Sequence, residues 1–393
     1  MVSAGFLDEA GLKQNLRKRK AAGLYRSPEV IERFKGSGIR IGSAWLVNFS
    51  SNNYLGLARH PRVIQKASAA LKFWGNGSGA SRLLSGNLKI HRDLEEGIAR
   101  FKKEEAALIF SSGYLANLGV VTALLNEKDL VLADRYNHAS LIDAARLSKA
   151  KFQVYPHRDV TVLESLLARA KGFRRKLVMT DGYFSMDGTV APLDRLSEVC
   201  RRHAAALMVD EAHSTGVFGK TGRGLTEHFR LEGKVEIVMG TLSKALGSVG
   251  GFVTGKFILR ETLVNHSKEF IYTTAPSPGA SAAALASLEL LEKKSQIRNK
   301  LWRNTERARR GLLEAGFDLM DSEGPIIPVK IGDTKKTIAI KAFLIQEGIF
   351  APAIRPPTVP KGSDRIRLSV TAEHDERDLE KMIKAFKKVR AKF

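Results

Sequence analysis

Two apolar segments of strand length each end abruptly in residues that could do chemistry. Leu207–Asp210 is followed by Glu211, Ala212 and His213, and Ile237–Thr241 is followed by Leu242, Ser243 and Lys244. A continuous apolar run predicts a strand that is buried on both faces, as in a parallel sheet. Ligands of open α/β sheets bind at the carboxyl ends of such strands. We therefore expect Asp210, His213 and Lys244 to lie at one edge of one sheet.

A carboxylate and an amine placed in this way match the needs of pyridoxal phosphate. The lysine amine can form a Schiff base with the aldehyde, and an acid beside the pyridine nitrogen keeps that nitrogen protonated. Each signal is weak by itself, because Asp210 alone could cap a helix and a lone histidine is more often structural. The combination of Asp210, His213 and Lys244 is what predicts a pyridoxal phosphate site.

Strands and helices must alternate to hold these residues. Between about residues 105 and 255 the alternation predicts right-handed βαβ units and a mostly parallel sheet. The expected strands are 106–110, 130–133, 151–155, 176–180, 207–210 and 237–241, and the expected helices are 90–102, 115–125, 160–170 and 193–203. The turn at Ser111–Tyr114, between a strand and a helix, predicts an anion site built from free backbone N–H groups.

The two ends of the chain have a different pattern. Residues 7–26, including Leu7, predict a basic amphipathic helix that packs on the protein itself or on a partner subunit, with a membrane surface as the alternative. Past Thr274 we expect a separate α+β domain, with strands at 326–331, 349–352 and 365–370 and helices over 278–315, 335–347 and the C-terminus. The predicted organisation is an N-terminal helical segment (1–45), a large domain (46–275) and a small domain (276–393).

The composition limits the partners. The 393 residues include 64 Lys and Arg against 41 Asp and Glu, a net charge of +23. This charge either keeps the surface solvated or steers an anionic partner. A phosphate-bearing substrate or an acidic carrier protein fits better than nucleic acid, because the basic residues are dispersed and no nucleic-acid motif is present. The single cysteine, Cys200, excludes an internal disulfide and a thiolate metal site. With no membrane-length apolar stretch and no signal-peptide core, we expect a cytoplasmic protein.

Six motifs together resemble the α-oxoamine synthases, a family of fold-type-I pyridoxal phosphate enzymes. The motifs are Asn48–Gly56, Gly77–Arg82, Asn137–Leu141, Phe184–Gly188, Val209–His213 and Thr241–Lys244. The resemblance implies a large domain with a mostly parallel seven-stranded sheet flanked by helices, followed by a smaller α+β domain. It also implies a homodimer with shared active sites.

The resemblance further implies a role for each matching residue. Lys244, His138 and Asp210 would be catalytic, and His138 would stack on the cofactor ring and contact the substrate. The cofactor contacts would be Gly113, Tyr114, His138, Ser185, Asp210, His213, Thr241, Lys244, Thr273 and Thr274, the last two acting across the dimer interface. The substrate contacts would be Arg26, His138, Thr358 and Arg367. Arg365 and Arg367 share one face of a strand, so the spacing leaves open which of them binds a carboxylate.

Segments 354–360 and 365–371 most resemble the members of the family that condense L-alanine with a pimeloyl thioester, on CoA or on acyl-carrier protein, in biotin biosynthesis. One alternative is a member that uses glycine or serine, such as a glycine C-acetyltransferase. A second alternative is a basic nucleic-acid-binding or scaffold protein with a decayed site. The intact Lys244, Asp210 and His213 disfavour that second alternative.

Overall fold

The structure is a computed structural model, and it describes residues 8–393. The chain divides into two compact units. The larger unit is Asn52–Leu301, and the smaller unit combines the chain up to Ser51 with Trp302–Phe393. This division differs from the predicted boundaries at residues 45 and 275, because the helix that begins at Pro278 packs against helices of the larger unit.

Strands and helices alternate along most of the chain. The strands are β1 (Arg33–Lys35), β2 (Gly38–Ile41), β3 (Ala44–Asn48), β4 (Ala106–Phe110), β5 (Leu130–Asp134), β6 (Lys151–Tyr155), β7 (Lys176–Asp181), β8 (Ala206–Asp210), β9 (Ile237–Thr241), β10 (Gly251–Gly255), β11 (Ile326–Lys330), β12 (Ile349–Phe350), β13 (Ala353–Ile354) and β14 (Arg365–Ser369). The helices are α1 (Glu9–Ala21), α2 (Pro61–Trp74), α3 (Lys89–Lys102), α4 (Gly113–Leu124), α5 (Ala139–Leu147), α6 (Val160–Arg169), α7 (Leu193–Arg202), α8 (Leu225–His228), α9 (Phe257–His266), α10 (Lys268–Ile271), α11 (Pro278–Lys293), α12 (Ser295–Glu314), α13 (Thr334–Gln346) and α14 (Glu376–Lys392), with a short 3₁₀ helix at Leu57–Arg59.

The larger unit is built on a seven-stranded sheet in the order β4-β10-β9-β8-β7-β5-β6. Strands β6, β5, β7, β8 and β9 pair in parallel, whereas β10 pairs antiparallel with β9 and with β4. The prediction of a mostly parallel sheet flanked by helices is confirmed. The carboxyl ends of β4 to β9 therefore meet at one edge of the sheet.

Burial of both sheet faces explains why these segments form strands. Every residue of β4, β5, β9 and β10 is buried. Val131, Ala133, Met208 and Met239 share one apolar core cluster with Val121 of α4. A sheet covered by helices on both faces needs such continuous apolar strands. This packing fixes the strand ends on which the site depends.

The smaller unit contains a three-stranded sheet in which β14 lies between β11 and β13. Alternate residues at β14 and a stripe at helical spacing along α14 meet in one apolar core. These core residues are Ile366, Leu368, Val370, Leu379, Met382, Phe386 and Val389. Arg365, Arg367 and Ser369 alternate with them along the strand.

Some predicted helix bounds differ from the structure. The N-terminal helix is shorter than 7–26 and is followed by Gly23, whose φ is +67°. Leu7 lies outside the described residues. The stretch 278–315 forms two helices, α11 and α12, which are separated at Lys294. Among residues 8–393, no helix combines the length and the apolar character needed to cross a bilayer.

Candidate active site

Carboxylates terminate three strands of the sheet. Asp134, Asp181 and Asp210 are the last residues of β5, β7 and β8, and Thr241 is the last residue of β9. Asp181 and Asp210 are direct neighbours in the register of β7 and β8. Because these strands run in parallel, their polar ends converge on one edge, as the sequence predicted.

Asp210 is a buried carboxylate with a fixed orientation. Its side chain accepts hydrogen bonds from Asn117 Nδ2 to Oδ2 (2.8 Å) and from the Ala212 backbone N–H to Oδ1 (2.8 Å). Only 3% of Asp210 is exposed. Asn117 comes from α4, and the sequence analysis did not identify it. Its only sequence signal is a carboxamide side chain within a largely apolar helix.

His138 is the residue that caps the start of α5. Its backbone N–H donates to Asp181 Oδ2 (2.6 Å), and its ring Nδ1 lies 2.8 Å from Ser140 Oγ. Burial is the main cause that lowers the pKa of His138; the charge of Asp210 opposes this effect and the charge of Lys244 adds to it. The neutral imidazole is therefore favoured near pH 7.

Asp181 lies in the same electrostatic cluster. Burial raises the pKa of the Asp181 carboxyl well above its ordinary value, and the negative charge of Asp210 raises it further. The His138 N–H and the charge of Lys244 act in the opposite direction. The structure thus brings together three predicted residues, Lys244, His138 and Asp210, and adds Asp181 to them.

His213 is held by a residue whose role the sequence analysis did not foresee. The hydroxyl of Tyr54 lies 2.8 Å from His213 Nδ1, and the two rings meet edge-on. Tyr54 is fully buried and belongs to the motif Asn48–Gly56. The motif was identified from the sequence, but nothing in its spacing indicated which side chain would contact His213.

The start of α4 has the features of a phosphate site. Ser112 Oγ caps the helix by accepting from the Leu115 N–H. The N–H groups of Gly113 and Tyr114 have no acceptor among residues 8–393. A side chain at position 113 would begin 3.6 Å from the Thr241 hydroxyl, so Gly113 keeps the space beside Thr241 open. Two free N–H groups fit a phosphate group, and the Thr241 hydroxyl, which donates to the Gly250 carbonyl oxygen (2.8 Å), lies beside them.

Lys244 lies in the tight turn that follows β9. Its carbonyl oxygen accepts from the Gly247 N–H (3.0 Å), and Gly247 has a φ of +62°. A Cβ at position 247 would lie 2.3 Å from the Ala58 backbone nitrogen. Only glycine fits there, and this close approach fixes the turn that carries Lys244.

The remaining cofactor candidates are distributed over other loops of the larger unit. Ser185 and Thr273 are half-buried and Thr274 is exposed. Thr274 forms an isolated bridge with Ser81, and its carbonyl oxygen accepts from Ser111 Oγ at 3.5 Å. These contacts place Thr274 beside the end of β4.

The substrate candidates Arg26, Thr358 and Arg367 all belong to the smaller unit. Arg26 Nη2 donates to Thr358 Oγ1 (3.1 Å), so two of the three are in direct contact. Arg367 Nη1 donates to Ser369 Oγ (2.7 Å), and Arg365 Nε donates to the Ser363 carbonyl oxygen (2.9 Å). Both β14 arginines are buried.

Metal and thiol chemistry find no support in the described part of the chain. Residues 8–393 contain no group of His, Cys, Asp and Glu side chains that could hold a metal ion. Burial raises the pKa of the Cys200 thiol to about 12, so this residue carries no thiolate near neutral pH.

Comparison with known proteins identifies the family. The profile of the class I and II aminotransferases matches residues 45–386. An 8-amino-7-oxononanoate synthase of Thermoanaerobacter pseudethanolicus is 44% identical over 379 residues, which cover 96% of each chain. An 8-amino-7-oxononanoate synthase of Geobacter sulfurreducens is 44% identical over 382 residues, 97% of each chain. The chain belongs to the 8-amino-7-oxononanoate synthase family.

Solved structures agree with this family assignment. A serine palmitoyltransferase of S. paucimobilis with a bound pyridoxal phosphate–myriocin aldimine superposes with a TM-score of 0.92 at 31% identity, covering 96% of each chain. The fold is therefore that of the fold-type-I enzymes that depend on pyridoxal phosphate. This result confirms the resemblance derived from the six motifs.

Proposed function

We propose that this chain is a pyridoxal phosphate-dependent acyltransferase of biotin biosynthesis. It condenses L-alanine with a pimeloyl thioester to give 8-amino-7-oxononanoate, carbon dioxide and the free thiol of CoA or acyl-carrier protein. One observation carries the proposal. The cluster of Lys244, His138 and Asp210 lies at the sheet edge of a chain that is 44% identical over 96% of its length to a synthase of that name.

The residues at the sheet edge suit each part of the cofactor. When bound, pyridoxal phosphate supplies an electron-poor ring that takes up the electron pair left on the amino-acid Cα. Asp210 would hold the proton on the ring nitrogen, because an adjacent negative charge favours the protonated form. The Gly113 and Tyr114 N–H groups and the Thr241 hydroxyl would hold the phosphate.

Other side chains would orient the ring. His138 would lie against one face, and His213, held by Tyr54, would contact the phenolic oxygen together with Ser185. Lys244 would bind the cofactor through its amine.

In the reaction, Lys244 Nζ, released from the cofactor when alanine binds, would remove the Cα proton of alanine. A carbon–carbon bond forms between this Cα and the thioester carbonyl carbon, the C–S bond breaks, and the thiol leaves with a proton. The bond from Cα to the alanine carboxylate then breaks, and carbon dioxide leaves. A proton returns to the same carbon. His138 would contact the acyl substrate in this scheme.

The smaller unit would recognise the substrate carboxylates. An arginine presents a planar fork of N–H donors that binds a carboxylate at two points. Arg367 would bind one carboxylate, and Arg26 with its contact Thr358 would also contact the substrate. The net charge of +23 would favour an acidic donor such as CoA or a carrier protein.

We further propose a cytoplasmic homodimer with shared sites, in which Thr273 and Thr274 of one subunit reach the phosphate of the other. Exposed apolar side chains in the larger unit support this arrangement. Phe73, Leu84 and Tyr272 are each about 80% exposed, which is unusual for aromatic and aliphatic residues of a monomer. Small-molecule or carrier-protein substrates are the expected partners, with no nucleic acid and no membrane.

The test is a reconstitution with defined substrates. The purified protein is loaded with pyridoxal phosphate, and the shift of the cofactor absorption is recorded with alanine, glycine or serine. We expect a saturable response to L-alanine, followed by carbon dioxide and thiol release once pimeloyl-CoA or pimeloyl-carrier protein is added. The Lys244→Ala variant serves as the control and should release neither product. A colourless wild-type protein would reject the proposal.

A second candidate is another condensing enzyme of the same class that uses glycine or serine, such as a glycine C-acetyltransferase. The structural likeness to a serine palmitoyltransferase, with a TM-score of 0.92, supports this second candidate. A response to glycine or serine with none to alanine in the same assay would select this candidate.

A further inference from the structure

A buried line of hydrogen bonds connects Asp210 to His138. Asn117 Nδ2 lies 2.8 Å from Asp210 Oδ2 and 2.8 Å from Ser140 Oγ. Ser140 Oγ in turn lies 2.8 Å from His138 Nδ1. Asn117 is fully buried and Ser140 is 1% exposed, so water does not compete for these contacts. Neither Asn117 nor Ser140 has a role in the function proposed above.

The chemistry of the groups fixes the direction of each hydrogen bond. An ionised carboxylate can only accept, so Asn117 must turn its NH₂ group toward Asp210. That group has two hydrogens, and the second is donated to Ser140 Oγ. The Ser140 hydroxyl hydrogen is then left for His138 Nδ1, which the Ser140 backbone N–H also approaches at 3.3 Å. Nδ1 accepts both bonds, so a neutral His138 carries its hydrogen on Nε2.

An unpaired atom shows that this orientation is imposed. Asn117 Oδ1 is buried and has no hydrogen-bond partner among the described residues. A buried acceptor without a partner costs free energy. Turning the amide over would give Oδ1 the Ser140 hydroxyl, but it would also place Oδ1 against the negative Asp210 oxygen. The amide stays in its costly orientation because the charge of Asp210 requires the NH₂ group.

We propose that Asn117 and Ser140 are positioning residues through which the charge of Asp210 holds His138 as the neutral tautomer protonated on Nε2. The proposal rests on the proposed function only in that Asp210 and His138 act on the cofactor. It adds that Asp210, the partner of the ring nitrogen, also determines which nitrogen of His138 carries the hydrogen. His138 would then offer an N–H donor from Nε2 while keeping no positive charge.

The charged groups around His138 agree with this assignment. Asp143, Asp210 and Lys244 act on its ring, Asp181 accepts its backbone N–H, and the Tyr114 ring meets it edge-on. Burial lowers the pKa of His138 in spite of the two carboxylates. The donors at Nδ1 give that neutral state a structural cause.

The test compares Ser140→Ala with Ser140→Thr, which keeps the hydroxyl. Without the Ser140 hydroxyl, protonation of Nδ1 becomes easier, so the acidic limb of the kcat/KM profile should move up by about one pH unit, the equivalent of one hydrogen bond. Ser140→Thr should restore the wild-type profile. The matched control is Ser287→Ala, since Ser287 is also a fully buried serine and its hydroxyl has no partner among the described residues. We expect no shift in that variant.

Asn117→Ala supplies a readout that is independent of turnover. It removes the donor that orients Asp210, so the dissociation constant of pyridoxal phosphate should rise about 10- to 100-fold, as for a lost hydrogen bond to a charged group. Asn304→Ala is its control, because Asn304 also donates two buried hydrogen bonds, to the carbonyls of Thr371 and His374. That control should lose stability but bind the cofactor with wild-type affinity.

The ¹⁵N chemical shifts of the His138 ring decide the proposal directly. They are measured on the full chain with and without cofactor and assigned by their absence in His138→Gln. Protonated Nε2 and unprotonated Nδ1 are expected in both states at pH 7. A proton on Nδ1 of His138 would overturn the assignment. So would a wild-type pH profile in Ser140→Ala combined with wild-type cofactor affinity in Asn117→Ala. Failure of the protein to bind pyridoxal phosphate would instead reject the proposed function, and the spectrum without cofactor would still decide the tautomer.

Discussion

Replacement of Asp210 by asparagine separates the structural and chemical roles of this carboxylate. Both Asp210 oxygens accept hydrogen bonds, one from Asn117 Nδ2 and one from the Ala212 N–H. An asparagine must turn its own NH₂ group toward one of these donors, so one buried hydrogen bond is lost. The expected decrease in the free energy of unfolding is about 1–3 kcal/mol, which a domain with this core tolerates. The variant should therefore remain folded.

The effect on catalysis should be much larger. Asp210→Asn removes the negative charge that, in the proposed function, keeps the cofactor ring nitrogen protonated. Breaking a buried charge pair costs about 3–5 kcal/mol, which corresponds to roughly a 10²- to 10⁴-fold decrease in rate. The structure adds a secondary effect. If the Asn117 amide turns over to meet the new NH₂ group, Ser140 can donate to Asn117 Oδ1 and no longer to His138.

The assay compares kcat/KM for L-alanine, the absorption spectrum of the bound cofactor and urea unfolding. Asp129→Asn is the matched control, because Asp129 is a fully buried carboxylate that accepts from Arg174 at 2.6 Å and precedes β5 at the opposite edge of the sheet. That variant should be less stable and kinetically normal. Turnover within tenfold of the wild type in a folded Asp210→Asn protein would refute the role assigned to Asp210.

Three further outcomes follow from individual contacts. Gly247→Ala should destabilise the protein by more than about 2 kcal/mol and weaken cofactor binding, because its Cβ would clash with the Ala58 backbone. The control is Gly42→Ala, since Gly42 has a φ of +56° but no atom within 4 Å of its Cβ position. In urea unfolding this control should lose only about 1 kcal/mol of unfolding free energy. Lys102→Met should lower the free energy of unfolding by about 3–5 kcal/mol, because it leaves Glu211 buried without its ion-pair partner. The double variant with Glu211→Gln should recover part of this loss. Equal stability of the single and double variants would contradict a buried ion pair. Burial lowers the pKa of His91, so the folded state resists protonation of this residue more than the unfolded state does. The free energy of unfolding should therefore fall as pH decreases below 6.5. The fall should be shallower in His91→Gln and the same as in the wild type in the exposed control His266→Gln.

Much of the sheet could be predicted because its strands are continuous apolar runs. The bounds of β4, β6 and β9 agree with the sequence-based segments to the residue, since each run ends where polar residues begin. Strand β10 was missed. Its sequence is Gly-Phe-Val-Thr-Gly, in which two glycines flank only two apolar residues. Its position between β4 and β9 comes from long-range pairing, which local periodicity does not report.

The candidate site was predictable for the residues that terminate strands and not for those that hold them. Asp210 and Lys244 follow apolar runs, and the parallel sheet brings them to one edge. Asn117 and Ser140 lie on α4 and α5, and their contact exists because these two helices pack against each other. Tyr54 reaches His213 across 159 positions of sequence. Partner choice at that range depends on the packed fold rather than on spacing.

The strand-end carboxylates show how the site separates three similar groups. Asp134 is held by His157 at 2.9 Å and by backbone N–H groups, so its charge is compensated locally. Asp181 receives one backbone N–H, and its burial next to Asp210 raises its pKa, which makes the protonated form easier to adopt. Asp210 alone among the three accepts from a side-chain amide, that of Asn117, together with the Ala212 backbone N–H. Three aspartates at adjacent strand ends therefore differ in the groups that donate to them. In the proposed function Asp210, the one held by the side-chain amide of Asn117, is the partner of the ring nitrogen.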